Sequence, residues 1–328
     1  MADPEGRLAQ LDEIANALVL LDDVTVHRDV PAGPLCTYRV GGPLAVLAAI
    51  GSTDALAAVA AVLSTVDVRT ITVGRGSNLL VADSGFDGVA IQLTDGCAEI
   101  DIDGTTVHAG AAASLPVVAR ATVVAGLTGF EWAVGVPGSI GGAVRMNAGG
   151  HGSDMSESLV SADIADLRLG GMFLRPAGSL DLGYRTSNLV DTDIVASARL
   201  ELSEADPEVD GAATLREVVG WRRENQPGGA NAGSVFTNPP DDSAGRLIDA
   251  SGAKGLRIGT AHVSDKHANF IQADVDGSAD DIVRLMIELV DRVNREHEVR
   301  LVAETRLVGF DPEIVEMVQP SARPDEGE

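Results

Sequence analysis

The sequence predicts an α+β protein of two or three domains, and three observations carry that expectation. At 328 residues, 45% of them hydrophobic, the chain has enough apolar material for more than one core. The first 95 residues alternate apolar stripes of helical period with short β-branched runs. Beyond them the pattern turns to hairpins, then back to helices around short strand-like runs.

Taken in order, Leu8, Leu11, Ile14, Ala15 and Leu18 form a stripe that predicts a helix over 7–20. The alanine-rich stretch Asp54 to Leu63 predicts a buried helix capped by Ser52 or Thr53. Ile71 to Val73 reads as a strand ending in the turn Gly74-Arg75-Gly76-Ser77-Asn78, followed by the apolar runs Leu79 to Ala82 and Val89 to Leu93. Residues 98–111 predict a hairpin around Asp103-Gly104, and Leu115 to Ala125 a helix. Two hairpin-like runs joined by Gly170-Gly171 fill 160–177, and Ile194 to Leu202 is a strand. A last unit is expected from about Asp206, with helices at 211–224 and 279–297 around strand-like runs at 257–263 and 268–274. The end, "QPSARPDEGE", reads as a solvated acidic tail, and no internal repeat is evident.

Composition narrows the function. With 24 basic against 49 acidic residues the net charge is −25, which repels nucleic acid and anionic membranes. Only 3% of residues are aromatic, so there are few platforms for stacking bases. An anionic ligand would have to meet arginines gathered locally; lysine stands only at Lys254 and Lys266. Cys36 and Cys97 lie far apart, which excludes a disulfide scaffold and suits a reducing cytosol. The N-terminus has no basic start before its apolar part, and no apolar run is long enough to span a bilayer. A cytoplasmic protein is expected. The six histidines (His27, His108, His151, His262, His267, His297) form no metal-ligand pattern, and no metal is expected.

Two glycine-rich stretches point to the ligand. Gly74-Arg75-Gly76-Ser77-Asn78 matches neither common phosphate loop, and taken alone it could be an ordinary turn. Some sixty residues on, "GLTGFEWAVGVPGSIGGAVRMNAGGHG" interleaves nine glycines with bulky apolar residues, the mark of a backbone passing tightly against a ligand or another strand. One cradle suits a diphosphate and the other a large flat group. Together they suggest a dinucleotide cofactor held between two domains without a Rossmann fingerprint.

The segments "TYRVGGPLAVL", "VGRGSNLLVAD", the glycine-rich centre, "GYRTSN", "NAGSVFTNP" and "VSDKHANFI" stand in the order found in the UDP-N-acetylenolpyruvoylglucosamine reductases, and the chain resembles that family from about Thr37 to Phe310. The resemblance implies a vanillyl-alcohol-oxidase (PCMH-type) FAD-binding fold of two α+β domains plus a third α+β domain for substrate. The expected segments are 1–95 and 96–204 for FAD, the latter joined by 305–328, and 205–304 for the substrate. It implies non-covalent FAD, NADPH as co-substrate, and a UDP-sugar substrate, with no obligatory protein partner evident. Tyr38, Gly74, Arg75, Gly76, Ser77, Asn78, Pro137, Gly138, Ser139, Gly141, Gly142, Asn147 and Arg306 are the implied cofactor residues. Tyr184, Arg222, Arg223 and Asn238 are the implied substrate residues.

Three side chains carry the expected chemistry. Arg185 has the fork that grips a carboxylate in two parallel hydrogen bonds, although a structural ion pair is the commoner fate of an arginine. Ser234 lies in a tight loop with no serine-hydrolase pattern around it. The resemblance makes it the proton donor to the substrate carbon. Glu304, in an apolar run, could donate a hydrogen bond if burial keeps it protonated, or pair with Arg306 across a strand face. The implied reaction passes hydride from FAD N5 to the enolpyruvyl carbon, stabilises the carbanion with Arg185 and Glu304, and takes a proton from Ser234.

Some residues depart from the family pattern. Thr237 stands where lysine is common, His151 where tyrosine is, and Arg75 where a small residue or asparagine is. The 49 positions from Arg185 to Ser234 suit the type without an extra tyrosine-bearing lobe. Two rival readings are an FAD-linked oxidase of the same fold acting on a hydroxy acid or sugar, and a flavin-carrying regulatory protein. Neither requires Arg185, Ser234 and Glu304 together.

Overall fold

The structure, a computed structural model, describes residues 4–320. The chain divides into two compact units. The first takes in residues up to Val30, Leu44–Arg75 and Asp87–Glu224; the second takes in Pro31–Pro43, Gly76–Phe86 and residues from Asn225 on.

The first unit opens with α1 (Pro4–Leu18), β1 (Val24–Pro31), β2 (Pro43–Ile50), α2 (Thr53–Leu63) and β3 (Thr70–Thr72). After β4 (Leu79–Val81), a strand of the second unit, β5 (Phe86–Leu93) completes a sheet of order β1-β2-β5-β3, with β3 parallel to β5. The Ser52 hydroxyl caps α2 by accepting the Ala55 N–H at 3.2 Å. Leu11, Ile14, Leu18, Leu56 and Val59 pack with Val46, Ile50, Val89 and Ile91 in one core.

Next come β6 (Ile100–Asp103), β7 (Thr106–Gly110), α3 (Leu115–Val124), α4 (Ile140–Met146), β8 (Leu159–Asp166), β9 (Gly171–Pro176), β10 (Asp193–Glu201) and α5 (Gly211–Asn225). The strands form an antiparallel sheet of order β9-β8-β10-β7-β6. Successive side chains of a strand point to opposite faces, and β10 uses both, with a register shift against β8 between Val195 and Ser197 that swaps the faces of the residues beyond it. Ile194 and Ala196 join the core beneath α1 and α2, while Val195, Ala198 and Leu200 join a second core with Leu115, Phe130 and Ile140. This double burial explains why residues 1–95 and 96–204, expected as separate segments, fold as one compact unit.

The second unit contains α6 (Ala244–Ala250), β11 (Arg257–Ile258), β12 (Ala261–Val263), β13 (Ile271–Ala273), α7 (Ala279–His297), β14 (Arg306–Val308) and α8 (Pro312–Val318). Ile282, Met286, Leu289, Val290 and Val293 of α7, spaced three and four apart, bury one face against a third core with Val263, Ile271 and Phe236. The run expected as one strand over 257–263 is two. Gly259 turns at φ +54°, and the Asp281 carboxylate accepts the Thr260 N–H at 2.8 Å, closing that turn.

Two boundaries differ from expectation. Helix α5, expected in the last unit, belongs to the first because Val218 is buried in the second core. The segment after residue 305, expected to join residues 96–204, instead pairs β14 in parallel with β4 inside the second unit. The acidic tail beyond Pro320 lies outside the described residues. Among those described, no helix is long and apolar enough to cross a membrane.

Asp83, at the end of the "VGRGSNLLVAD" segment, ties that segment to α7. Its carboxylate accepts the Ala279 N–H at 2.9 Å, the Asp280 N–H at 3.3 Å and the Ser278 hydroxyl. These bonds satisfy amides that the helix itself leaves unpaired. Asp83→Ala should cost about 1 kcal/mol, the usual worth of a lost helix cap. Urea midpoints of the two proteins measure it, and an unchanged midpoint would mean that water replaces the carboxylate at no loss.

Candidate active site

The two glycine cradles meet within the first unit. A Cβ built on Gly74 would lie 3.0 Å from the Ser139 hydroxyl oxygen, and one on Gly142 would lie 3.7 Å from the same atom. Each has no other neighbour within 4 Å on that side, so both backbones are open to a ligand. Ser139 is buried, Pro137 is exposed and Gly138 is half-buried. The Gly138 carbonyl accepts the Leu115 N–H at 3.1 Å, and the Gly141 N–H donates to Ala111 O at 2.9 Å. The second cradle is thereby laced to the segment preceding α3. Arg75, exposed beside Gly74, makes no hydrogen bond or ion pair among the described residues. Bare backbone with an uncommitted guanidinium beside it fits a diphosphate group.

Other glycines answer to protein neighbours. Gly76 stands at φ +61°, and its Cβ would fall 2.0 Å from Leu35 O. Its bareness serves the approach of residues 35–36, which the Thr37 N–H secures by donating to Gly76 O at 3.0 Å. Gly141 likewise faces the Ala111 methyl at 2.9 Å. Tyr38 is fully enclosed in the core of the second unit, and burial drives its phenol far above the usual range. Its side chain therefore faces protein.

Arg185 sits on a braced loop. Its own backbone is left-handed at φ +58°, a conformation that costs a non-glycine residue about 1–2 kcal/mol and marks a side chain aimed by its surroundings. One guanidinium N–H donates to Gly149 O at 2.8 Å, and the group lies 5.4 Å from the centre of the exposed Tyr184 ring. The loop is tied down on both sides of Arg185. The Asn147 amide donates to Gly183 O at 2.9 Å, and the Ser187 hydroxyl donates to Arg145 O at 2.6 Å. Asn147, expected at the cofactor, is buried with its amide also engaged by Asp154 and by the Ser156 N–H. Its side chain positions the Arg185 loop.

In the second unit three distant motifs meet at Glu304. Its N–H donates to Val235 O at 2.8 Å, and its carbonyl accepts the Asn78 side-chain amide, also at 2.8 Å. Arg306, exposed, donates its own N–H to Asn78 O at 3.0 Å. Phe236 bridges Ala303 as an antiparallel partner. Half-buried Ser234 lies one residue from this junction, after Gly233 at φ +80°. Glu304 is half-buried, where full burial had been considered. Ser77 is half-buried beside Asn78. The Asn238 side chain accepts the Ala244 N–H at 3.1 Å and so caps α6; Thr237, in the lysine position, donates its hydroxyl to Val302 O at 3.2 Å.

Helix α5 brings its last turn to the glycine-rich centre. A Cβ on Gly135 would lie 2.9 Å from Val218 and 3.7 Å from His151, and His151 meets Trp221 edge-to-face at 5.1 Å. Arg222, one turn beyond Val218 on the same face, is half-buried and has no partner among the described residues; burial lowers its pKa from the usual guanidinium range. Arg223 is exposed. A desolvated cation without a counter-charge in so acidic a chain suits an anionic ligand.

The contrast between the glycines is testable. Gly142→Val should fold and lose affinity for FAD, because the space it fills is open. Gly76→Ala should lose about 2 kcal/mol or more of stability from strain and clash, with or without FAD. Thermal melts and flavin titrations separate the two effects; equal FAD affinity in Gly142→Val and wild type would remove that cradle from the cofactor site.

Residues 43–172 match the FAD binding domain, and residues 224–308 match the C-terminal domain of UDP-N-acetylenolpyruvoylglucosamine reductase. UDP-N-acetylenolpyruvoylglucosamine reductase 2 of Symbiobacterium thermophilum is 37% identical, over 90% of this chain and 96% of its own length. The Bacillus subtilis reductase is also 37% identical, over 87% and 94%. The crystal structure of UDP-N-acetylenolpyruvylglucosamine reductase from Thermus caldophilus superposes with a TM-score of 0.73 at 34% identity, covering 87% of this chain and 98% of that one. The α+β, vanillyl-alcohol-oxidase-type fold follows from the FAD-domain match and this superposition together. Similarity of this depth, over nearly the full length of both partners, makes the chain a member of the UDP-N-acetylenolpyruvoylglucosamine reductase family.

Proposed function

We propose that this chain reduces UDP-N-acetylglucosamine enolpyruvate to UDP-N-acetylmuramate with NADPH, in the cytoplasm, as a step of peptidoglycan precursor synthesis. The observation that carries the reading is the junction at Glu304, where the Asn78 turn and the Ser234 loop bond the same residue. FAD, when bound, would supply the hydride chemistry between NADPH and the terminal enolpyruvyl carbon. Gly74, Arg75, Gly138, Ser139 and Gly142 are the residues we assign to holding it.

The protein's own part is to bind a carboxylate, stabilise charge and place one proton. After hydride arrives, negative charge spreads from the α-carbon of the substrate into its carboxylate. Arg185 meets that carboxylate with the planar fork best shaped for it, and the ties at Gly149, Asn147 and Ser187 hold the fork before substrate enters. Glu304, as the carboxylic acid, is assigned the role of a hydrogen-bond donor in the same reaction. The Ser234 Oγ–H gives its proton to the α-carbon, and the alkoxide left behind regains one from solvent. Arg222, ahead of Arg223, takes the diphosphate of the UDP-sugar, because its half-buried charge has no partner among the described residues.

Two substitutions test these roles. Ser234→Ala should leave reduction by NADPH unchanged and slow reoxidation by the enolpyruvyl substrate by about 10²–10⁴, the worth of a positioned acid. In heavy water, solvent deuterium should appear at the α-carbon of the product. Arg185→Lys should also spare the first half-reaction and slow the second, since an ammonium cannot reproduce the fork. Stopped-flow absorbance resolves the halves. Wild-type reoxidation by the serine variant would reduce Ser234 to a turn residue, and equal loss in both halves would move Arg185 to general nucleotide binding.

A further inference from the structure

The segment "VSDKHANFI" has a buried asparagine whose polar groups are all turned to the Ser234 loop and its own turn. Asn269 is 3% exposed. Its carbonyl accepts the Val235 N–H at 2.9 Å. Its side-chain oxygen accepts the Phe236 N–H at 3.0 Å, and its side-chain N–H donates to Phe236 O at 2.8 Å. The Asn269 N–H donates to His267 Nδ1 at 3.3 Å, and burial lowers the pKa of that imidazole, favouring the neutral form that can accept. The side-chain amide thus bonds Phe236 on both sides of its residue, as a neighbouring strand would.

The opposite edge of the same loop is held by main-chain bonds, with the Thr237 hydroxyl beside them. Val235 O accepts the Glu304 N–H at 2.8 Å, and the Thr237 N–H donates to Val302 O at 3.0 Å. Every backbone N–H and C=O of the two residues after Ser234 is therefore engaged, three of the four by Asn269. Ser234 stands between this clamped pair and Gly233, at φ +80°. Aspartate cannot donate to Phe236 O, and leucine would leave two buried peptide groups unpaired.

We infer that Asn269 is a positioning residue of the reductase reaction, clamping the loop so that Ser234 Oγ and the Glu304 segment keep one fixed relation. The inference rests on the reading of Ser234 as proton donor. A displacement of about 1 Å in a reacting group costs roughly 10²-fold in rate, so loosening the clamp should act on the proton step and leave hydride entry from NADPH alone.

The test compares FAD-loaded Asn269→Asp, Asn269→Ser, Ser234→Ala and the Ser234→Ala/Asn269→Asp double variant by stopped flow. Asn269→Asp should reduce with NADPH at the wild-type rate and reoxidise about 10- to 100-fold slower at saturating substrate, with an unchanged half-saturating concentration. Asn269→Ser, which keeps an acceptor for the Phe236 N–H, should fall between. The double variant should be no slower than Ser234→Ala, because the clamp acts through the serine. Rate losses that multiply in the double variant would overturn the inference, as would wild-type reoxidation by Asn269→Asp beside a crippled Ser234→Ala. Wild-type reoxidation by Ser234→Ala would instead sink the reading beneath it. If neither Asn269 variant yields FAD-loaded protein, the residue serves folding and the positioning role falls.

Discussion

The peptide of Glu304 is bonded on both sides, its N–H to Val235 O and its carbonyl to the Asn78 amide. The second of these joins segments 226 residues apart in sequence, and much of the second unit is arranged around the junction. The parallel pairing of β4 with β14 carries the chain past Asn78 on one strand and away from Glu304 on the other. Helix α7 supports β4 from its own N-terminus through Asp83. Buried main-chain groups demand partners, so a junction of this kind admits one register only. A slip of one residue would point the Glu304 side chain to the opposite face.

The first unit handles its charged residue differently. Arg185 is placed by a left-handed backbone and by side-chain ties from Asn147 and Ser187, with no β-ladder beneath it. A loop so braced can hold a guanidinium in a strained conformation because its neighbours over-determine it. The field it works in is set by the whole chain. At a net charge of −25, an anionic substrate is repelled at long range, so recognition depends on arginines at short range. Arg222 shows what this requires: it is half-buried one turn beyond Val218, and burial lowers its pKa.

Several features of the fold were legible because local chemistry decides them. Ser52 before an alanine-rich stripe specifies the start of α2, and the Asp103-Gly104 hairpin forms where its turn residues stand. Helix α6 was equally legible and was missed. Ser243 caps it, and Ala244, Leu247 and Ile248 give the spacing of a buried face. β1 and β2 were harder to see, since β2 is buried almost throughout and its run "PLAVLAAI" has no alternation.

The sequence by itself determined the reaction class, because the order and identity of six motifs name a chemistry whatever the details of packing. It also determined which residues could carry it: an arginine for a carboxylate, a serine for a proton and glycines where backbone must lie bare. Only tertiary structure decided which glycines face open space and which face a neighbouring segment of the chain. Gly76 and Gly142 look alike in sequence, yet one abuts Leu35 O and the other faces open space. Tertiary structure likewise turned Asn147 inward to the Arg185 loop and Asn269 onto Phe236. The reason is physical: a residue type limits the bonds a group can make, while its actual partners come from segments tens to hundreds of positions away, which local sequence does not specify.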